Sequence, residues 1–239
     1  MTSRTKKTAL LFDIDGTLLL TGGAGTSALN RAFMVLYNEA EVFKDIDPHG
    51  RTDLSLIREC YQRRFNKAPT AEEIGQIRQK YCAYIHETLY TCEDFRLMPF
   101  VKKTLCALST DPTYCLGLAT GNFKESGFAK LKRGSIDHFF LFGGFGSDAE
   151  DRLALTKKAY AEALTFTKEK PARMYLIGDT VHDIRCGRAI GVKTIGVCTN
   201  NTPREVMQKE GADWVMENLE GFCDFLHDHR GDEHHLPTL

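Results

Sequence analysis

Short apolar runs that end abruptly in polar residues recur along the chain. The three clearest runs occupy residues 9–12, 114–119 and 174–177. Continuous apolarity over so few positions is typical of strands that are buried on both faces of a parallel sheet. Residues 139–142 and 194–198, and a shorter run at 214–216, predict further strands.

Helical periodicity separates these runs, as in Leu155, Ala159 and Ala163. This alternation predicts an α/β fold with a Rossmann-like, doubly wound parallel sheet. Residues 20–96 hold helical patterns alone, which predicts an all-helical domain inserted after the first strand. We therefore expect an α/β core over residues 1–19 and 97–230, a helical cap over 20–96 and a disordered tail over 231–239.

The composition narrows the class of protein. The chain has 239 residues, 42% of them hydrophobic, and a net charge of -1, which argues against a nucleic-acid partner. Eight scattered cysteines without a C-x-x-C pair suggest reduced thiols. The first apolar run is too short for a signal peptide or a membrane span. We expect a cytoplasmic protein without a membrane partner, and the sequence carries no prediction of its oligomeric state.

Carboxylates follow two of the predicted strands. Asp13 and Asp15 are two positions apart, so extended chain would point both to the same side. Asp179 and Asp183 are one helical turn apart if a helix begins there. Ligands of open parallel sheets bind at the carboxyl ends of the strands, so the four acidic groups are expected to converge. A divalent cation is the simplest compensation for their mutual repulsion.

Oxygen ligands without histidine or cysteine favour a hard cation, and Mg²⁺ in particular. Such a site is suited to phosphoryl transfer, for which an aspartate can be the nucleophile. Thr120 and the backbone amides around Gly121 and Asn122 could bind phosphoryl oxygens. Arg152 could supply a fixed positive charge to the transition state.

Three motifs resemble those of the haloacid dehalogenase superfamily. The stretch Leu-Phe-Asp-Ile-Asp-Gly-Thr-Leu at 11–18 resembles its first motif, Ala-Thr-Gly-Asn at 119–122 its second, and Gly-Asp-Thr-Val-His-Asp at 178–183 its fourth. Their order and spacing span nearly the whole chain, and the helical block lies where the superfamily has its first type of cap. The chain resembles the phosphoglycolate-phosphatase-like branch, because Gly-Arg-Thr-Asp at 50–53 is similar to a stretch of that branch.

The resemblance implies a role for each matching residue. Asp13 would attack phosphorus, while Asp15 would protonate the leaving oxygen and then activate water. Mg²⁺ would be held by Asp13, the backbone carbonyl of Asp15, and Asp179, with Asp183 in support. Thr120 would bind the phosphoryl group. The carboxylate of Asp15 favours phosphate chemistry over carbon–halogen cleavage, since dehalogenating members would be expected to lack it.

Two candidate site residues lie outside the three matching motifs. The third motif normally supplies a lysine followed by proline, which is absent here, and Arg152 is the candidate, with Lys157 and Lys158 as alternatives. Arg51 would contact a substrate carboxylate or shape the lid. The predicted enzyme is thus a Mg²⁺-dependent phosphatase, a phosphoric monoester hydrolase, acting on a small phosphomonoester through an aspartyl-phosphate, with phosphoglycolate as the leading substrate.

Other functions are compatible with the same residues. A β-phosphoglucomutase-like phosphomutase would use an identical core and return the phosphoryl group to a sugar. A non-catalytic phospho-acceptor or scaffold would also gather acidic residues at strand ends, although it would need neither the cap nor Asp15.

Overall fold

The computed structural model describes residues 6–168, 170–199, 202–231 and 236. Its strands are β1 (Thr8–Phe12), β2 (Leu19–Leu20), β3 (Arg96–Leu97), β4 (Tyr114–Thr120), β5 (Phe142–Phe145), β6 (Arg173–Gly178), β7 (Lys193–Val197) and β8 (Trp214–Met216). Its α-helices are α1 (Ala24–Tyr37), α2 (Asp53–Phe65), α3 (Ala71–Thr91), α4 (Val101–Thr110), α5 (Lys124–Arg133), α6 (Arg152–Thr167), α7 (Val181–Ala189), α8 (Arg204–Lys209) and α9 (Phe222–Asp228).

Within the described ranges, six strands form one parallel sheet in the order β5-β4-β1-β6-β7-β8. β1 is a central strand, and its five residues are all buried. The helices between successive parallel strands are the crossovers that this topology requires. The predicted fold class, an α/β fold with a parallel sheet, is confirmed.

The two faces of β1 belong to different apolar clusters. Leu10 and Phe12 pack into a cluster with residues of α4 and α9. Ala9 and Leu11 pack into another cluster with residues of α6 and α7. Because alternate residues of a strand point to opposite faces, a continuous apolar run is what a sheet covered on both sides needs.

Helices α1, α2 and α3 form a helical block between the two crossings of the chain. The crossings are the segments at β2 and β3, where the chain passes from the core to the block and back. They share an apolar cluster of their own, which Phe123 and Ala129 beside and within α5 also join. α2 begins at the Thr52 N-cap, whose hydroxyl oxygen accepts a hydrogen bond from the backbone N–H of Ser55 at 3.2 Å. The two crossings pair as a short antiparallel sheet of β2 and β3, which the helical pattern of the sequence did not predict.

The strand predicted at residues 139–142 is wrong in its position. A 3-10 turn occupies Asp137–Phe139, and β5 begins only at Phe142. A Cβ on Gly144 would come within 2.0 Å of the backbone oxygen of Leu155, so the approach of α6 requires glycine in this strand. Glycine is disfavoured in strands, whereas aromatic residues are favoured. The sequence pattern therefore placed this strand on the aromatic residues just before β5.

Two further expectations concern the membrane and the tail. Across the described part of the chain, every helix is too short or too polar to span a bilayer. Of the tail proposed at 231–239, residues 232–235 and 237–239 lie outside the described residues.

Candidate active site

The loops that follow β1, β4 and β6 meet at the carboxyl edge of the sheet. β1 lies between the other two strands, and its last residue, Phe12, is in register with Ile177 of β6. Three polar segments begin beside one another at this edge, at Asp13, Thr120 and Gly178. The structure therefore brings together the three motifs that are far apart in the sequence.

Asp13, Asp179 and Asp183 form a buried carboxylate cluster. One oxygen of each lies within 4.8 Å of the others, and the three residues are 5%, 1% and 1% exposed. The Thr17 hydroxyl donates a hydrogen bond of 3.0 Å to Asp179 Oδ1. The Thr180 hydroxyl donates one of 2.8 Å to Asp183 Oδ2, and the Thr180 backbone N–H donates one of 3.2 Å to the same oxygen as part of a capping box at the start of α7. Asp183 thus caps a helix and faces the cluster.

Arg152, the first residue of α6, supplies positive charge to this cluster. Its Nη2 donates to Asp13 Oδ2 at 2.8 Å and to Asp183 Oδ1 at 2.6 Å. The residue is buried, and the two carboxylates raise the pKa of its guanidinium. Lys157 and Lys158 are exposed, and Lys158 pairs with a surface glutamate. Of the three basic residues that the sequence offered for this position, the structure brings Arg152 to the carboxylates.

Burial sets the electrostatics of Asp13. Desolvation raises the pKa of its carboxyl to about 6, because the charged form loses its contact with water. Arg152 opposes this rise, while Asp183 and Asp15 add to it through repulsion. Among the described residues, one guanidinium bonds two of the three carboxylates, so a further cation would lower the repulsion between them.

The donor set and the space around it fit a hard divalent cation. The three residues offer carboxylate oxygens alone, which are the ligands that Mg²⁺ and Ca²⁺ prefer. Gly16 has a φ of +81°, and a Cβ there would come within 2.1 Å of Asp179 Oδ2. Glycine at this position therefore keeps the backbone of the first loop against the cluster.

The carboxylate of Asp15 lies outside the cluster, contrary to the expectation that the four acidic side chains converge. Lys130 Nζ donates to its two oxygens at 2.9 and 2.7 Å, and the amide of Asn122 donates to Oδ2 at 2.7 Å. The chain bends at Ile14, between the two aspartates, so the extended geometry that would align Asp13 and Asp15 does not persist. The proposed contribution of Asp15 to a metal site concerns its backbone carbonyl.

The loop after β4 is tied into the same network. Thr120 is fully buried, and its Oγ1 accepts a 2.8 Å hydrogen bond from the side-chain amide of Asn122. The carbonyl of Gly121 accepts a 2.8 Å hydrogen bond from the backbone N–H of Asp53 in the helical block. A Cβ on Gly121 would come within 2.1 Å of the backbone oxygen of Arg51, so glycine permits this close approach.

Arg51 and Asp53 lie where the helical block meets the core. The guanidinium of Arg51 pairs with Glu59 and donates to the carbonyl of Ser55 at 3.4 Å. Asp53 is half-buried, and desolvation raises the pKa of its carboxyl. It accepts 2.8 Å hydrogen bonds from the backbone N–H of Phe123 and the hydroxyl of Ser126. Asp53 therefore joins the start of α2 to the start of α5.

A cavity of about 530 Å³ lies between the strand-end loops and the helical block. Asp13, Thr120 and Arg152 line it from the core, and Arg51 lines it from the helical block. All candidate site residues except Asp183 thus line one cavity, at the place where open parallel sheets bind their ligands.

Lys130 and Asp53 are two site residues that sequence reasoning missed. Lys130 belongs to a basic stretch with Lys132 and Arg133, which resembles a solvated helix end. It lies one helical turn after Ser126, on the buried face of α5, and this periodicity is the signal that could have identified it. Asp53 lies in the first turn of a helix, where acidic residues are common, so its sequence position did not indicate a site residue.

The fold and the carboxylate cluster define an α/β enzyme whose polar centre lies at the carboxyl ends of parallel strands. Residues 10–197 match the family model described as haloacid dehalogenase-like hydrolase. Because this match covers most of the sequence, the chain belongs to the haloacid dehalogenase-like hydrolase family. The resemblance read from the three motifs, and the prediction of a hydrolase, are confirmed.

Similar proteins cover almost the full length of the chain. The pyrophosphatase PpaX of Bacillus mycoides is 25% identical over 233 residues, which are 92% of this chain and 97% of the relative. A phosphoglycolate phosphatase of Haemophilus influenzae is 25% identical over 90% of this chain and 96% of its own. The crystal structure of CbbY from Rhodobacter sphaeroides in complex with phosphate has a TM-score of 0.66 at 17% identity, covering 90% of this chain and 95% of that chain.

Proposed function

We propose that this protein is a Mg²⁺-dependent phosphatase that hydrolyses a small phosphomonoester through an aspartyl-phosphate on Asp13. One observation carries the proposal. The carboxylate of Asp13 is buried at the end of a central strand, faces the cavity and is hydrogen-bonded by Arg152. Two relatives are named as a pyrophosphatase and a phosphoglycolate phosphatase. These names support phosphate hydrolysis, and because they differ in the phosphate compound they leave the substrate open.

The residues of the chain divide the reaction into two steps. In the first, an oxygen of Asp13 bonds to phosphorus while the ester oxygen leaves and takes a proton from Asp15. In the second, water attacks the phosphorus and gives a proton to Asp15. The bond between Asp13 and phosphorus breaks, so that inorganic phosphate is released and the Asp13 carboxylate is restored. The hydroxyl of Thr120 and the guanidinium of Arg152 bind phosphoryl oxygens throughout.

The carboxylate cluster is the proposed site of Mg²⁺. Asp13, Asp179 and the backbone carbonyl of Asp15 would hold the ion, and Asp183 would support it. When bound, Mg²⁺ neutralises negative charge on the phosphoryl group and on the cluster. Arg152 keeps Asp13 and Asp183 in place, because its guanidinium donates to both carboxylates.

The helical block is proposed to be a cap domain over residues 20–96, with the core formed by 1–19 and 97–230. Its separate apolar cluster and the pairing of β2 with β3 at the two crossings support this division. The cap would exclude bulk water from the cavity during phosphoryl transfer. Asp53 and Thr52 would close it, since both hydrogen-bond to loops of the core.

The test is release of inorganic phosphate from a panel of phosphomonoesters. The panel contains phosphoglycolate, several nucleotides and several sugar phosphates, each assayed with Mg²⁺ and with a chelator. We expect release with Mg²⁺ and its loss, by about two orders of magnitude or more, in the chelator. Asp224→Asn, an exposed aspartate on α9, is the control for protein quality.

Other outcomes would overturn the proposal. Isomerised sugar phosphate with little free phosphate would indicate a phosphomutase. A stable phosphoryl group on Asp13 without turnover would indicate a phospho-acceptor. Release that is unaffected by the chelator would exclude the metal-dependent mechanism.

A further inference from the structure

Asp53 of the helical block is hydrogen-bonded to the first turn of α5. Its Oδ2 accepts 2.8 Å hydrogen bonds from the backbone N–H of Phe123, the N-cap of α5, and from the hydroxyl of Ser126. The backbone N–H of Asp53 donates to the carbonyl of Gly121 at 2.8 Å. A carboxylate beside the N-terminus of a helix is also favoured by the helix dipole. One residue of the block therefore holds the segment with which α5 begins.

Lys130 lies one helical turn after Ser126 on α5. It is 5% exposed, and its Nζ donates to both oxygens of Asp15 and, at 2.5 Å, to Oδ1 of Asn122. The three protons of the ammonium thus have three oxygen acceptors. The side chain of Asp15 is 41% exposed, so without these bonds its carboxylate would be free to turn toward water. The position of Asp15 therefore depends on where α5 lies.

α5 packs against the helical block beyond its first turn. Phe123 and Ala129 belong to the apolar cluster of the block. At the surface, Arg78 of α3 donates to Glu125 of α5 at 2.8 and 3.0 Å, although exposed ion pairs contribute little to stability. The charge of Lys130 also reaches Asp53, since it lowers the pKa of that carboxyl against the rise that desolvation causes. α5 thus connects the block to the surroundings of Asp15.

We propose that Asp53 couples the seating of the helical block to the position of the Asp15 carboxylate. Asp53 holds the first turn of α5, and α5 places Lys130 against Asp15. In this scheme Asp53 is a positioning residue, because it acts through the helix and exchanges no proton with the substrate. The proposal rests on the proposed phosphatase function and specifies how its acid–base step is made to depend on the block. A step that is completed only when the block is seated would proceed away from bulk water.

Two esters that differ in their need for an acid test this role. Ethyl phosphate releases an alkoxide that must be protonated as it leaves, whereas 4-nitrophenyl phosphate releases a stable phenolate. The ratio kcat/KM reports the steps up to departure of this group. We expect Asp53→Asn to lower kcat/KM about 5-fold for ethyl phosphate and less than about 2-fold for 4-nitrophenyl phosphate, because only the first reaction needs Asp15 as an acid.

Asp224→Asn, the exposed aspartate on α9, is the matched control and should change neither value. Equal losses for the two esters in Asp53→Asn would overturn the proposal. Direct contact of Asp53 with the substrate, or a general loss of structure, would lower both values alike.

A double-mutant cycle tests the route through α5. If Asp53 acts through Lys130, then Asp53→Asn should lower kcat/KM for ethyl phosphate by less than about 2-fold once Lys130→Met is present. Ser126→Ala removes one of the donors to Asp53 and should reproduce the selective loss on ethyl phosphate at a smaller size. Losses that multiply in the double variant would overturn the proposal.

Chemical labelling separates this proposal from the proposed function. Acetic anhydride acylates lysine amines, and mass spectrometry of the protein with Mg²⁺ and without substrate gives the rate at Lys130 relative to its exposed neighbour Lys132. We expect this ratio to rise about 10-fold or more in Asp53→Asn, because α5 opens more often once it loses hydrogen bonds to a charged group. An unchanged ratio in the folded variant would overturn the coupling, whatever the activity. Absence of phosphate release from every ester with the wild type, by contrast, would overturn the phosphatase function and leave the labelling result standing.

Discussion

Asp13 and Asp15 are two residues apart in the chain, yet their carboxylates lie in different surroundings. The side chain of Asp13 is 7% exposed and is paired with Arg152 from α6. The side chain of Asp15 is 41% exposed and is paired with Lys130 from α5. Arg152 also bonds Asp183 within the carboxylate cluster, whereas Lys130 holds Asp15 away from it.

This difference shows how one loop can produce two kinds of carboxylate. The buried one is fixed by a planar guanidinium beside other carboxylates, as a nucleophile that must meet phosphorus in one orientation requires. The other is reachable by water, as a group that exchanges protons with a leaving alcohol and with water requires. Since the two aspartates have separate cations, each environment can be altered without removing the partner of the other.

The largest effect is expected from Asp13→Asn. An amide cannot form the proposed phosphoryl intermediate, so we expect kcat to fall by about 10⁴-fold or more. The variant should remain folded, because the substitution removes one charge from a crowded acidic site. Phosphate release and circular dichroism check the two statements, with Asp224→Asn as the unaffected control. A rate near that of the wild type would exclude Asp13 as the nucleophile.

Arg152→Met is expected to have the next largest effect. It removes the fixed charge that bonds both Asp13 and Asp183, and a loss of one such preorganised donor lowers kcat by about 10²–10³-fold. Arg152→Lys should restore part of the rate, since an ammonium keeps the charge and loses the planar fork.

Lys158→Met is the matched control for Arg152. Lys158 is exposed on the same helix and pairs with Glu162, so its removal should leave kcat unchanged. A loss of activity in Lys158→Met together with a normal rate in Arg152→Met would mean that Lys158 has the cationic role and Arg152 does not.

Lys130→Met should have a smaller effect, about 10-fold on kcat, because it alters the position of Asp15 and leaves the nucleophile in place. Lys132→Met, an exposed neighbour on α5, is the control. A double-mutant cycle gives the sharper result, since Lys130→Met should cost little more once Asp15→Asn is present. Additive losses would show that Lys130 acts independently of Asp15, and a shifted pH profile of kcat in the single variant would support positioning.

Sequence patterns predicted what depends on local order along the chain. A buried strand requires a continuous apolar run, and the first, second and fourth motifs each follow such a run, so Asp13, Thr120 and Asp179 were assigned to one edge of the sheet. The position of β5 was not predicted correctly, because glycine in this strand permits close packing of α6. That is a tertiary requirement, which the periodicity of the sequence does not reveal.

The partners of the acidic residues were less predictable than the residues themselves. Lys130 reaches Asp15 across 115 positions of sequence, and Asp53 reaches Ser126 across 73. Such contacts depend on how α2 and α5 pack, while the local sequence of each is that of an ordinary amphipathic helix. Arg152 was found because it opens a predicted helix beside an acidic stretch, although only the fold shows that it meets Asp13 and Asp183.

The smallest expected effect concerns stability in the absence of metal. The pKa of Asp13 is raised by burial to about 6 in the folded protein, above its usual value near 3.8. Folding therefore becomes less favourable as pH rises from about 4 to about 6, and the cost stays constant above that range. The amide that Asp13→Asn introduces cannot ionise but keeps an oxygen that can accept from Arg152.

In a chelator at pH 7.5, Asp13→Asn should thus raise Tm by several degrees, since about 1 kcal/mol corresponds to roughly 2–4 °C for a chain of this size. The difference should vanish near pH 4, where the wild-type carboxyl is protonated in the folded state. Thermal unfolding of both proteins at the two pH values measures it. A lower Tm for the variant at pH 7.5 would mean that attraction to Arg152 exceeds the cost of burying the Asp13 charge, and the two aspartates would then differ less in their electrostatics than in their exposure to water.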